Sequence, residues 1–480
     1  MLQTVQKSPQ NRCVAPANAT ECRGSERFSI ASGQARTSDR ISEKQGHQIH
    51  AAYSTYRCFL GGRHAGATGA QAAPKAYPEA EKQVLEISKQ AIALRSVEGE
   101  GNKTGDVAEL FRKELLANGW NGGDIEIVPH KDTAYLIATW PGSDPSLKPL
   151  VVSAHMDVVE AKPADWEHDP FTPVVENGYL YGRGASDTKF EAVLAMESMI
   201  ELRRQGFRPK RTLVIAYSGD EETSMATSKL IAERLKNADL VLNVDGASGT
   251  LSEKTGKPSF WSWQGAEKTY VDYQIEVTNA GGHSSAPRTE NAIVQLSEAL
   301  ERIGHYHFQP ELNDITRAYW VEAAKLEPDA VLAGAMRAFA ANPNDEAALK
   351  VLRANPSMVG RTGTTCVPTM IAGGHAQNAL PQRATANINC RIFPGHTREE
   401  IMAELQKVAN VPAAKFSDVT GDASTMSPAS PMRPDFVAAT RKAVTAAWGP
   451  IPIIPSQASG ASDSMWYARW WCPATARVRR

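Results

Sequence analysis

Four short stretches of this sequence carry side chains that could do chemistry together. His155-Met-Asp157 follows an apolar run ending at Ser153, and an imidazole there can bind a metal while a carboxylate two residues on accepts its other N–H. Asp187 lies in the Gly-rich turn Gly182-Arg-Gly-Ala-Ser-Asp187-Thr-Lys, Asp220-Glu221-Glu222 follows the run Leu213 to Tyr217, and Asp245 follows Val241 to Val244. Each stretch alone has a plainer reading: a satisfied histidine at a strand end, a helix N-cap, a solvated acidic turn, and a turn aspartate before Gly246. Read together, successive strand ends deliver His, Asp, Glu-Glu and Asp to one edge. Hard carboxylates mixed with imidazole suit zinc or a similar first-row divalent ion. With two ions roughly 3.5–4 Å apart, one carboxylate can bridge them, a water between them becomes acidic and a scissile carbonyl is polarised. A remaining free carboxylate then serves as base.

The elements that must position these groups alternate. Helices are predicted near Glu79 to Leu94, Asp106 to Asn118 and Lys189 to Gln205. Short β-rich runs are Ile125-Glu-Ile-Val, Tyr135-Leu-Ile-Ala-Thr, Leu150-Val-Val-Ser, Arg211 to Tyr217 and Ala238 to Val244. The fold class expected is α/β: a catalytic domain whose mixed, mainly parallel sheet is flanked by helices, with its site at the strand exits. After Trp263 the pattern changes to alternating strands at Thr269 to Thr278, Cys366 to Ala372 and Arg383 to Ile392, with helices near Ala292 to Ile303 and Arg398 to Val408. This reads as an inserted α+β lid domain, enlarged by a helical, Ala-rich stretch between Gly304 and Val359. The expected division is 1–74, a head with no period that reads as disorder or as sequence upstream of the real start; 75–265, the first part of the catalytic domain; 266–428, the lid; and 429–480, the second part.

Composition narrows the partners. Among 480 residues, 52 Lys and Arg balance 53 Asp and Glu, so no basic field exists to hold nucleic acid or an anionic membrane. No run approaches the ~18 apolar residues of a spanning helix. A small molecule is the expected partner. The six cysteines show neither zinc-knuckle spacing nor the density of a disulfide scaffold. Ala70-Gln71-Ala72 has the small-x-small form of a signal-peptidase site without an apolar run before it, which leans toward export or the periplasm and leaves the cytoplasm open.

The wording and spacing of Ser153-Ala-His-Met-Asp-Val-Val, of Trp166 to Phe171, of Leu180-Tyr-Gly-Arg-Gly-Ala-Ser-Asp-Thr-Lys and of Gly219-Asp-Glu-Glu resemble the zinc peptidase family of aminoacylase, carboxypeptidase G, succinyl-diaminopimelate desuccinylase and the carnosine dipeptidases. The resemblance covers about Tyr77 to Tyr467. It implies that His155, Asp187 and Asp245 hold one Zn2+, that Asp187 bridges to a second held by Glu222 and a late histidine, and that Glu221 is the general acid and base. Asp157 would orient His155, and the bond after Asp187 would be cis. Gly281-Gly-His283-Ser-Ser-Ala-Pro is similar to the family's lid, in which a histidine reaches into a partner subunit's site to stabilise an oxyanion. The plainer reading of His283 is a turn histidine. Gly373-Gly-His375-Ala-Gln-Asn378 and Asn389-Cys-Arg391 resemble lid stretches that supply an amide donor, Asn378, and a cation, Arg391, to the substrate. The resemblance thus implies a homodimer paired through the lid, acting on a dipeptide, short peptide or N-acyl amino acid.

The sequence departs from the family after Ser459-Gly-Ala-Ser-Asp463-Ser-Met. Relatives run on to a final metal histidine, whereas here no histidine follows His396. Two zinc ions per subunit are expected in the family, and one becomes possible here. A shift of one base after Tyr467 would turn Arg469-Trp-Trp-Cys-Pro into Gly-Gly followed by Val or Ala, close to the family wording; a natural variant tail is the alternative. Either way an inactive or weakly active homologue binding at most one ion stands beside the enzyme reading. Loss of the last strand and helix is expected to expose apolar surface and lower stability.

Overall fold

The computed structural model describes residues 3–5, 77–246, 249–252, 255–422 and 424–469. The Ala70-Gln71-Ala72 tripeptide, nearly all of the 1–74 head and the tail from Trp470 lie outside the described residues. Within the head, Gln3–Val5 is a strand parallel to Tyr179–Tyr181, where the sequence pattern suggested no element.

Apolar runs that lack alternation become inner strands. A five-stranded sheet has the order Ile125–His130, Thr133–Trp140, Leu213–Ser218, Leu150–His155, Leu240–Asn243. The last three strands are mutually parallel and the first two run antiparallel, which makes the sheet mixed. Leu150–His155 and Leu213–Ser218 are buried along almost their whole length because helices cover both faces. On one face lie Pro78–Ala93, Thr104–Ala117 and Lys189–Arg204. The first of these buries Val84, Ile87, Ser88, Ala91 and Ile92, the spacing of one helical stripe, and it opens with Pro78 and two acidic residues. Ala226–Arg234 and Ser464–Ala468 cover the other face with Ile231, Ala232, Met465, Trp466 and Tyr467.

A second, four-stranded antiparallel sheet has the order Thr365–Gly373, Arg383–Ile392, Thr269–Thr278, Ala414–Asp418. Its two inner strands alternate strictly, burying Val271, Tyr273, Ile275 and Val277 beside Ala384, Ala386, Ile388 and Cys390. Helices Ala292–His305 and Arg398–Ala409 lie on that buried face. Cys366 and Cys390, directly opposite each other in register, form a disulfide that cysteine spacing did not suggest. The Ala-rich insert folds into helices Asp314–Ala323, Ala330–Ala341, Glu346–Arg353 and Pro356–Val359 with their own core of Trp320, Met336, Phe339, Leu349 and Leu352. Between the two sheets, Pro258–Glu267 pairs in parallel with Ile453–Ala458, a partner nearly two hundred residues away.

Candidate metal centre

His155 is the last residue of its strand, and its parallel neighbours end on the same edge. His155 faces Ser218 in register, so the chain that continues into Asp220-Glu221-Glu222 emerges beside it. Ser153 faces Asn243 on the other side, which brings Asp245 to the same rim. Asp187 arrives from the Gly-rich turn that opens helix Lys189–Arg204, across a cis Asp187–Thr188 peptide bond, the feature implied by the family resemblance. Two glycines permit the close approaches. At Gly184, φ is +90° and a Cβ would press on Val158 and Lys189; at Gly219 a Cβ would sit 2.1 Å from the Ala134 carbonyl oxygen.

The imidazole Nε2 of His155 lies 3.0 Å from Asp187 Oδ1, 3.9 Å from Asp245 Oδ2 and 4.0 Å from Glu221 Oε2. One ligand atom each from His155, Asp187 and Glu222 falls within 4.8 Å of the others. One nitrogen and several carboxylate oxygens at that spacing fit a zinc-like divalent ion. Burial opposes a charged imidazole, yet the Asp157 and Asp187 carboxylates outweigh it and hold His155 well above the ordinary imidazole range. Burial pushes Glu222 up to about 7, with Asp187 adding to it, and pushes Asp245 upward as well. Glu221 is raised furthest, by burial first and then by the crowd of Asp463, Asp245 and Asp157. Such a concentration of negative charge is what a bound cation relieves.

Asp157 has contacts beyond the expected one with His155. Its peptide oxygen, 3.0 Å away, is the nearer partner of His155 Nδ1, and its carboxylate stands 3.5 Å from that nitrogen. The carboxylate also accepts the backbone N–H groups of Glu221 at 3.1 Å and Glu222 at 3.0 Å. Two successive N–H groups of a tight turn make a concave anion site, which the carboxylate fills. Asp157 therefore holds the Glu221-Glu222 turn as well as the histidine. The acidic run itself divides. Asp220 accepts from Ser224 Oγ, Ala226 N and Thr227 N, tying down the start of helix Ala226–Arg234, while its two neighbours supply the site.

The three lid residues lie elsewhere. His283 sits on an exposed two-stranded ribbon opposite Ala379, with Nδ1 2.7 Å from Ser285 Oγ. Ser284 N donates to the Asn378 carbonyl at 2.9 Å, so His283 and Asn378 are brought together. Arg391 donates to the Ser459 carbonyl at 3.0 Å, and its guanidinium lies 4.6 Å over the Tyr270 ring. None of the three has a described contact with the His155 cluster.

Three acids lie behind the rim, of which the sequence reading noted Asp463, in the turn where the family wording breaks off, and missed Glu267 and Glu191. Asp463 accepts from Ser218 Oγ at 2.6 Å, and burial pushes it up to about 7. Glu267 accepts from the Ser462 N–H and hydroxyl, and burial pushes it up to about 8. Glu191, in the first turn of helix Lys189–Arg204, is likewise raised to about 8 by burial. It shares with Asp245 the wall of a largely apolar cavity of about 630 Å3 between strand Leu240–Asn243 and helix Pro434–Trp448. Nothing local marks Glu267.

Residues 151–477 match peptidase family M20/M25/M40. The chain belongs to that family. Among curated M20 relatives, it is 28% identical over 299 residues to the probable carboxypeptidase S-like 2 of Dictyostelium discoideum, covering 59% of this chain and 56% of that protein. It is 30% identical over 290 residues to the N-fatty-acyl-amino acid synthase/hydrolase PM20D1 of Mus musculus, covering 55% and 53%. The chain thus spans about half the length of the curated relatives it matches. The fold is that of the M20 family metallo-carboxypeptidase Sso-CP2 from Sulfolobus solfataricus, with a TM-score of 0.58 at 19% identity over 80% of this chain and 88% of that one.

Proposed function

We propose that this M20 chain is a zinc-dependent hydrolase of the amide bond in an N-acyl amino acid, dipeptide or short peptide. The observation that carries the reading is the convergence of His155, Asp187 and Glu222 within 4.8 Å, with Asp245 3.9 Å from the same imidazole nitrogen. His155, Asp187 and Asp245 would hold one ion, and Asp187 with Glu222 a second. Ions bound there would acidify a water and polarise the scissile carbonyl. Glu221, buried beside them with a raised affinity for a proton, takes one from the attacking water and passes it to the leaving amine nitrogen. Asp157 fixes the backbone on which Glu221 and Glu222 ride.

His283 would donate to the carbonyl oxygen as it gains charge, Asn378 would add an amide donor, and Arg391 would grip the substrate carboxylate in two-pronged fashion. Exposed His283 suits delivery into a second copy's site. Pairing of two copies is supported by the second sheet's edge strand Thr365–Gly373, which exposes Val367, Met370 and Ile371. Names such as N-fatty-acyl-amino acid synthase/hydrolase among the relatives favour an N-acyl amino acid. An exported, oxidising location is supported by the Cys366–Cys390 disulfide; alkylation of the native protein without reductant should leave both thiols unlabelled.

A second reading, a homologue that binds at most one ion and turns over slowly, is favoured by the ligand set: among the described residues His155 is the one histidine in the cluster. Zinc per chain by elemental analysis, with hydrolysis of N-acyl amino acids and dipeptides, separates the two. Two ions with turnover support the first reading. One ion or none, without turnover, sinks it.

A further inference from the structure

Away from the metal centre, the helical insert and the Glu267-Lys268 junction close a second cavity of about 320 Å3. Its charged lining consists of Lys268 and Arg361, and no carboxylate lines it. Lys268 is 1% exposed, and its ammonium donates to the Gly363 carbonyl at 2.5 Å, which uses one of three donors. Arg361 lies 4.5 Å over the Tyr319 ring, with no carboxylate partner among the described ion pairs. Trp320, wholly buried in the same wall, has an indole N–H without an acceptor, whereas the Thr316 hydroxyl is taken up by Asn313. Burial, with Arg391 and Arg361 close by, lowers Lys268 to about 7 against a smaller opposing pull from Glu311. Buried donors with surplus hydrogens and crowded cations are costly unless an anion meets them.

We propose that this cavity binds the carboxylate of a small acidic molecule between Lys268 and Arg361. Its size lies at the low end for small-molecule sites, and the Tyr319 and Trp320 rings suit a short organic chain better than a bare inorganic ion. The cavity is also wired to the catalytic rim. Glu267, directly before Lys268, holds Ser462, and the next residue, Asp463, bonds Ser218 beside His155. The acid has two possible sources: a distal carboxylate of the substrate, an arm that rests on the hydrolase reading, or a separate effector.

Isothermal titration calorimetry of the full chain with glutarate and with the neutral glutaramide tests binding without using turnover, so a failed hydrolase reading leaves the result intact. Glutarate should bind at least about tenfold more tightly than glutaramide. That binding should weaken by about tenfold in Arg361→Gln, recover in part in Arg361→Lys and persist in His155→Ala. A rise in KM of Arg361→Gln for N-acetylglutamate but not N-acetylglutamine assigns the carboxylate to substrate. A change in turnover of a neutral substrate on adding glutarate assigns it to an effector. Equal binding of acid and amide, unchanged binding in Arg361→Gln, or loss in His155→Ala overturns the proposal; should Arg361→Gln fail to fold, the acid-to-amide comparison on the unmutated chain still decides.

Discussion

At the rim of the five-stranded sheet, His155 is 1% exposed and gripped at both ring nitrogens, and the turn beside it donates two backbone N–H groups to the Asp157 carboxylate. On the ribbon beside the four-stranded sheet, His283 stands exposed, and its described side-chain bonds go to Ser285, two residues away. The first histidine is positioned by its own chain before any ligand arrives. The second is presented outward, a placement that makes sense when another surface receives it. Preorganisation belongs to the rim and adaptability to the ribbon, and variants on each side should behave accordingly.

The largest effect is expected at the rim. Glu221→Gln keeps the shape of the side chain and removes its basicity, so kcat should fall by about 10^2–10^4-fold with zinc content and melting temperature nearly unchanged. A parallel loss of zinc would mean that Glu221 is a ligand, and the division of roles at the rim would have to be redrawn. His283→Ala should cost about 10^2–10^3-fold in kcat, the range for one oxyanion donor, and should leave zinc untouched. The sharper experiment mixes the two inactive variants. If His283 serves a partner's site, mixed dimers regain activity, and Ile371→Arg on the exposed edge strand prevents it. No rescue in a demonstrated mixed dimer would place His283 outside the chemistry. Asp157→Asn should lower activity by about 10–100-fold, because one of the two oxygens that hold the Glu221-Glu222 turn becomes a donor.

The rim was legible for a topological reason. Parallel strands ending on one edge bring their following residues together whatever the side chains do later, so apolar runs with an acid or imidazole just beyond them placed His155, the Asp220-Glu221-Glu222 turn and Asp245 on one edge, while Asp187 came from its Gly-rich turn. What remained hidden depends on partners remote in sequence. The Asp157 carboxylate was paired by proximity with His155, and it also serves N–H groups about 65 residues on. Glu267 gains its meaning from Ser462, and Cys366 from Cys390 across a strand register that spacing does not encode. The second sheet and the ribbon were legible as alternation and a Gly-Gly-His motif. Local pattern does not say where His283, Asn378 and Arg391 act, since among the described residues none of them contacts the His155 cluster.

The smallest effect concerns the junction between the two regions. Burial holds Glu267 near 8 against its usual 4.5, so the folded chain keeps a proton there that the unfolded chain releases. Below about pH 4.5 both states are protonated and the residue contributes no pH dependence. From about 4.5 to 8 the unfolded state binds fewer protons, so stability falls as pH rises through that window and levels off above it. Glu267→Gln retains an oxygen to accept from Ser462 and cannot ionise. It should match the unmutated chain near pH 4.5 and exceed it by ~1–2 kcal/mol at pH 8, read from urea unfolding. Asp245 and Asp463 both help raise Glu267, so a cation at the rim, by neutralising Asp245, should lower its proton affinity. The gain in Glu267→Gln should therefore be larger in metal-stripped than in zinc-loaded protein. An equal gain in both would mean that burial alone sets the proton affinity of Glu267 and that the rim's charge does not reach the junction.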